Sequence, residues 1–247
     1  MSHTMRPFMQ VILIYLSCSR KQEPGKAERK AGIMKKGLTE IVFILDRSGS
    51  MSGLEADTIG GYNSMLDKQK KEEGEVLVST ILFDDRIEVV HDRVDIREVK
   101  DITDREYYVR GCTALLDAIG GTVRHIENIH KYAREEDVPE KTIFIIITDG
   151  YENASKSYTL DQVKEMVSGQ QARGWEFLFL GANIDAIAEA ARFGISADRA
   201  ASYRSRGRSV RLNYDVLSKS VATLRSHSAL KSDWKAEIEE DFVKKED

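Results

Sequence analysis

Ile41-Val42-Phe43-Ile44-Leu45 runs directly into Asp46-Arg47-Ser48-Gly49-Ser50-Met51. Five consecutive apolar residues fit a strand buried on both faces, as in the middle of a parallel sheet. The strand then opens onto a carboxylate and two hydroxyls at alternate positions, 46, 48 and 50. Side chains at i, i+2 and i+4 of an extended chain share one side. Where a strand gives way to a loop, the loop can curl all three oxygens toward one point. A carboxylate with neutral hydroxyls is a hard-oxygen set suited to Mg²⁺ or Mn²⁺. The spacing therefore points to a metal site before it points to an enzyme nucleophile. The metal-free alternative is a polar turn in which Ser50 or Ser52 caps a helix near Leu54.

Working outward, strand and helix patterns alternate. Residues 54–71 place Ile59, Tyr62, Met65 and Leu66 on one helical face, with Gly74 as the stop. Residues 75–83 read as a strand, Asp84-Asp85 as a turn, and residues 86–91 as the returning arm of an antiparallel edge hairpin. Residues 113–136 form a long helical pattern through Leu115, Ile119, Val123, Ile126, Ile129 and Ala133. A second buried strand, residues 142–148, carries Ile143-Phe144-Ile145-Ile146-Ile147 and ends in Asp149-Gly150. Helices over 160–173, 184–193 and 210–227 alternate with strands over 175–180 and 200–203. Residues 231–247 are charged, with a helical pattern whose attachment to the core the sequence leaves open.

This alternation implies an α/β fold, a mostly parallel sheet covered on both faces. In such folds the ligand site lies outside the carboxyl ends of the strands. Asp46-x-Ser48-x-Ser50 and Asp149-Gly150 both fall at such ends, and Thr113 opens the long helix. Three separate segments converge on one edge.

Composition narrows the function. The chain has 247 residues, 32% of them charged, with a net charge of −4. That balance suggests neither a nucleic-acid partner nor a membrane-surface role. Cys18 and Cys112 lack metal-knuckle spacing, and a reducing compartment is the default. The five histidines form no H-x-x-H pair, which argues against zinc. Residues 8–16 are apolar except for Gln10 and too short for a membrane span. Two readings of this start remain open. One is an extension upstream of a natural beginning at Met34-Lys35-Lys36. The other is a weak export signal, with Leu16-Ser17-Cys18 resembling a lipoprotein cleavage site. Residues 19–36 are basic, polar and periodless, a linker by composition.

The set Asp46-x-Ser48-x-Ser50, then Thr113 in Gly111-Cys112-Thr113-Ala114-Leu115, then Thr148-Asp149-Gly150 resembles a von Willebrand factor A (vWA) domain. The resemblance covers residues 38–228 in order and spacing. It implies a doubly wound, Rossmann-like sheet of about six strands with one antiparallel edge strand and helices on both faces. It divides the chain into an extension with linker over 1–36, a vWA domain over 37–228 and a charged tail over 229–247. It also implies a complete metal-ion-dependent adhesion site. Ser48 and Ser50 would ligate the metal directly, Thr113 directly or through water, and Asp46 and Asp149 directly or through bound waters. Mg²⁺ prefers six oxygens and this set supplies at most five, leaving room for a partner's carboxylate. The family commonly recruits an Asp or Glu this way, so the resemblance implies protein binding rather than bond breaking.

The flanking sequence resembles the bacterial intracellular branches of the family, including tellurite-resistance-associated and metal-chelatase-associated proteins. The expectation is thus a cytoplasmic module binding a protein partner, such as an ATPase or another complex component. The alternative is an exported or lipid-anchored adhesion protein, if the first 18 residues act as a signal. A catalytic alternative uses Asp46 as a phosphoryl acceptor beside Mg²⁺. That chemistry places a second Asp two residues later as general acid, where this chain has Ser48, so no enzyme is expected. Around the site, Arg47 reads as solvent-facing, Cys112 as a small buried side chain, and Asp84-Asp85 as a turn rather than a second metal site. Glu152 and Asn153 read as a solvated loop. The basic run Arg204, Arg206, Arg208 and Arg211 reads as a solvated loop before the last helix, with binding of a phosphate-rich or acidic partner as the alternative.

Overall fold

A computed structural model describes residues 35–244. The extension, the signal-like segment and nearly all of the linker lie outside the described residues. Six strands form one sheet in the order β3-β2-β1-β4-β5-β6. They are β1 (Lys35–Asp46), β2 (Glu75–Phe83), β3 (Ile87–Asp95), β4 (Pro139–Thr148), β5 (Glu176–Ala182) and β6 (Ala200–Tyr203). All neighbours pair in parallel except β2 and β3. The helices are α1 (Glu55–Gln69), α2 (Leu115–Tyr132), α3 (Leu160–Gln171), α4 (Ala186–Arg192), α5 (Gly207–Arg225) and α6 (Ala236–Val243). This is the doubly wound sheet with an antiparallel edge. No helix among the described residues is long and apolar enough to cross a membrane.

The apolar run of β1 explains the two layers. Successive side chains of a strand point to opposite faces. Ile41, Phe43 and Leu45 enter one core with Tyr62, Met65 and Leu66 of α1 and Tyr214, Leu217 and Val221 of α5. Val42 and Ile44 enter the other with Leu115, Ile119 and Val123 of α2 and Val163 and Val167 of α3. A strand buried on both faces has no solvent side to show as alternation, and β4 repeats the pattern.

Two elements run longer than expected. β1 begins at Lys35 rather than 41, because polar Thr39 and Glu40 are buried as well. The fully buried Glu40 carboxylate is 2.8 Å from Arg93 Nε and 2.6 Å from His130 Nε2. β3 continues past 91 to Asp95, through a register shift opposite Val78 and Thr80. Arg93 takes a positive φ of 52° there and donates its backbone N–H to Ser79 Oγ at 3.0 Å.

The charged C-terminal segment is packed. Ile238 of α6 is 1% exposed and belongs to the core on the α1–α5 face. Just before α6, Trp234 Nε1 donates to Asp198 O at 2.7 Å. Lys235 Nζ donates to Ala197 O and Ala200 O, each at 2.8 Å.

Candidate metal centre

Asp46 is the last residue of β1 and is fully buried. Its Oδ1 accepts Ser48 N at 2.7 Å, and its Oδ2 accepts Thr148 Oγ1 at 2.6 Å. Its carbonyl accepts Tyr107 Oη at 2.5 Å, and burial holds the tyrosine pKa well above its usual range. Ser48 Oγ lies 3.0 Å from both Ser50 Oγ and Thr113 Oγ1. Ser50 Oγ donates to Asp149 Oδ1 at 2.5 Å. Side-chain oxygens of Thr113, Ser48, Ser50 and Asp149 thus form one continuous chain, with Asp46 behind it. The structure brings all five candidate residues together. Ser48 and Thr113 are buried, whereas Ser50 is exposed, so the cluster opens to the surface at Ser50.

The polar-turn alternative fails on geometry. α1 starts at Glu55 with Leu54 at its N-cap and no side-chain cap, and Gly53 N donates to Glu55 Oε2 at 2.7 Å. Neither Ser50 nor Ser52 caps that helix.

Gly150 makes the approach of the three loops feasible. A Cβ there would sit 2.9 Å from Thr113 Oγ1 and 3.2 Å from Ser50 Oγ. Thr113 itself is clamped by Asn153, whose Oδ1 accepts Thr113 N at 2.9 Å and whose N–H donates to Thr113 O at 3.0 Å. Glu152 accepts Leu116 N at 2.8 Å, Ala154 N at 2.9 Å and Ser155 N at 2.7 Å. Asn153 is exposed, as its reading as a solvated loop expects, and Glu152 is half-buried; both also tie the 149–159 loop to the start of α2. The signal was present in retrospect. Ala114 at the α2 N-cap cannot supply a side-chain acceptor, so the first-turn N–H groups need one from elsewhere.

Arg47 also departs from expectation. It is 0% exposed. Its Nε donates to Asp84 Oδ2 at 3.0 Å, its Nη2 to Glu88 at 2.8 Å and its Nη1 to Glu106 O at 3.0 Å. Arg110 Nε joins the same Asp84 oxygen at 2.5 Å. Arg47 follows β1 and is tied to the loop that carries Thr113, through Glu106 O and through Arg110 N, which donates to its carbonyl at 2.9 Å. Asp84 does initiate a turn, through Arg86 N at 2.8 Å, but its other oxygen anchors this buried network. Cys112, expected to be small and buried, is exposed. Of the basic run, Arg204 Nε donates to Phe242 O at 2.9 Å and Arg211 lies 3.7 Å from Asp57.

Electrostatically the cluster is acidic without a counter-charge. Burial raises the pKa of Asp46 from its ordinary value, against the hydrogen bonds from Thr148 and Ser48. Burial, with the nearby Asp46 charge adding to it, pushes Asp149 up to about 6 despite the Ser50 hydrogen bond. No basic side chain pairs with either carboxylate among the described residues. No cluster of three or more His, Cys, Asp or Glu suited to a metal occurs among them either. The donor set is two carboxylates and three hydroxyls, all hard oxygen. It fits a small divalent cation, which would relieve the two pKa shifts together and replace the hydroxyl-to-hydroxyl contacts.

A doubly wound sheet with this oxygen set at its carboxyl edge defines a vWA-type domain. Residues 18–216 match the family described as "VWA domain containing CoxE-like protein", and the chain belongs to that family. No curated protein matches it. Among solved structures, a von Willebrand factor type A protein from Catenulispora acidiphila is similar at 13% identity and a TM-score of 0.54, over 76% of this chain and 43% of that one. The manganese-loaded TRAP protein of Plasmodium vivax is similar at 16% identity and a TM-score of 0.52, over 71% and 72%. Proximal thread matrix protein 1 from the mussel byssus, with a zinc-occupied MIDAS motif, is similar at 17% identity and a TM-score of 0.52, over 77% and 47%. The chain spans about half the length of the mussel structures. At these identities the likeness establishes the fold.

Proposed function

We propose that this chain is a metal-dependent protein-binding module that captures an acidic side chain of a partner. The observation that carries it is the joining of Ser48, Ser50, Thr113 and Asp149 into one oxygen chain, backed by Asp46, with no basic side chain to balance the two acids. Mg²⁺ is the proposed ion, with Mn²⁺ as its substitute. Manganese and zinc in two similar structures support a divalent cation at such a site. When bound, the cation supplies an electrophilic centre. The five side chains supply at most five of the six oxygens such an ion prefers, so an incoming Asp or Glu fills the open position. The residues themselves orient the site. Thr148 and the Ser48 N–H fix the rotamer of Asp46, Asn153 holds Thr113, and Gly150 keeps the approach clear.

Catalysis is not part of this reading. Both Asp46 oxygens are engaged by neighbours and the residue is buried, so it is not presented as a nucleophile. We place the module in a cytoplasmic complex, with an ATPase or other component as partner. Calorimetric titration with Mg²⁺ and Mn²⁺ tests the site, with Asp46→Ala and Ser48→Ala alongside. Saturable binding lost in both variants is the expected result. Partner capture from native extract that persists in EDTA would overturn the proposal.

A further inference from the structure

We infer that the cleft beside the metal centre is a second, anion-binding subsite that takes another acidic side chain of the same partner segment; this rests on the metal-capture reading. The cleft encloses about 650 Å³ at the carboxyl ends of β5 and β6. Asn183, Asp185, Ser202, Arg204, Arg206 and Phe242 are among its lining residues. It therefore lies on the same sheet edge as the metal set, which hangs from the ends of β1 and β4. Neighbouring strands are about 4.8 Å apart, so the two sites are on the order of 10 Å apart.

Arg204 is the element that makes this a site rather than a surface dent. Its Nε donates to Phe242 O at 2.9 Å, and its guanidinium carbon sits 5.9 Å from the centre of the Phe242 ring. Those contacts fix the plane of the fork. Its two terminal nitrogens have no partner among the described residues. A guanidinium in the lining of a cleft, held by Nε and with no partner for its Nη groups among the described residues, suits a carboxylate or phosphate in bidentate geometry. Asn183 and Ser205 stiffen the floor by bonding each other through side chain and backbone. Asp185, the one acid among the described lining residues, spends Oδ1 on Ala188 N at the start of α4. The amino end of α5 already has the Asp57 carboxylate against it, so the anion is assigned to the guanidinium rather than to that helix end.

The surroundings favour an acidic segment as occupant. Arg208 is exposed in the first turn of α5, and Arg86 and Lys156 are exposed on loops. An extended segment advances about 3.3 Å per residue, so acids three or four positions apart reach the metal and Arg204 together. The metal alone then selects for one carboxylate, and the pair selects for a spaced acidic motif.

The probe is a fluorescein-labelled deca-glutamate peptide, with binding to the full chain read by anisotropy in Mg²⁺ and in EDTA. Arg204→Gln should weaken binding roughly tenfold, the loss of a charge-assisted pair. Calorimetric Mg²⁺ affinity should be unchanged in that variant, and Arg204→Lys should fall between. Ser48→Ala should lose the Mg²⁺-dependent part and retain the part that Arg204 carries. If Arg204→Gln binds as the parent does, the subsite is overturned; loss in EDTA would then leave metal capture standing. If only Arg204→Gln weakens binding, and EDTA and Ser48→Ala do nothing, the metal reading fails and the subsite stands. Inorganic phosphate bound through Arg204 while Arg204→Gln leaves peptide affinity intact would make the cleft a small-phosphate site and overturn the acidic-segment assignment. A parent chain that ignores the peptide overturns it as well.

Discussion

A guanidinium with no exposed surface destabilises a fold unless carboxylates meet it, and Arg47 is met by Asp84 and Glu88. Removing one side of such a pair leaves the other buried and uncompensated. Arg47→Ala is therefore expected to lower unfolding free energy by about 3 kcal/mol, checked by urea denaturation. Arg47→Lys should recover only part of it, because an ammonium cannot reach Asp84, Glu88 and Glu106 O at once. At Gly150 the steric argument is more local. Gly150→Ala drives a methyl group against Thr113 Oγ1 and Ser50 Oγ, so Mg²⁺ affinity should fall at least tenfold in calorimetry while the melting temperature moves little. The carboxylates give the pH dependence its sign. A folded pKa of about 6 at Asp149, raised from 3.8, means the metal-free folded chain keeps a proton that the unfolded chain releases. This group therefore favours the fold at pH below about 4 and withdraws that favour as pH rises to about 6. The metal must displace the same proton. The rise in melting temperature on adding Mg²⁺ should be large at pH 7.5 and small at pH 5, and equal shifts at both would refute the assignment.

At the scale of elements, the start of α2 is built by a loop rather than by its own cap. Glu152 accepts Leu116 N, Ser155 Oγ accepts Asp117 N, and Asp117 in turn accepts Lys156 N, Ser157 N and Tyr158 N. Glu152→Ala leaves the amides of Leu116, Ala154 and Ser155 without their side-chain acceptor and should cost about 1–2 kcal/mol. Hydrogen exchange should accelerate first at the amides of Leu116, Ala154 and Ser155. This same exchange of bonds marks where sequence reading stops. β1 and β4 were legible because a doubly buried strand must be apolar throughout, and 41–45 and 143–147 have no other use. The five oxygen residues were legible because each sits at a strand or helix end, where position follows from topology. Arg47, Cys112 and Glu152 were not. Their side-chain directions depend on residues 96–114 and 149–159, which are largely irregular, so no periodicity fixes which way a side chain faces. The early start of β1 was hidden for a related reason: Glu40 reads as polar and exposed until Arg93 and His130 arrive from other elements.

For the whole molecule, the sheet divides the chain into two cores, and the core on the α1–α5 face is closed by the segment after residue 230. The β6 strand is only four residues long and lies at the sheet edge, where an uncovered strand is a liability. What covers this region is α6 and the turn before it. Ile238 supplies buried apolar surface, Trp234 reaches Asp198 O, and Lys235 takes the carbonyls of Ala197 and Ala200. Phe242 completes the set by holding Arg204. A chain ending at residue 228 is accordingly expected to lose more than a tail. Burial of Ile238 alone contributes about 1.5–3 kcal/mol, and the carbonyls released by Lys235 and Trp234 add to the loss. The truncated chain should melt several degrees lower than the full chain and expose apolar surface to a hydrophobic dye. Its Mg²⁺ affinity should change little, because the hydrogen bonds that hold the five oxygen residues come from elements other than α6. A truncated chain that melts with the full one would mean that α6 rests on the domain without stabilising it, and would also remove the support on which Arg204 is held.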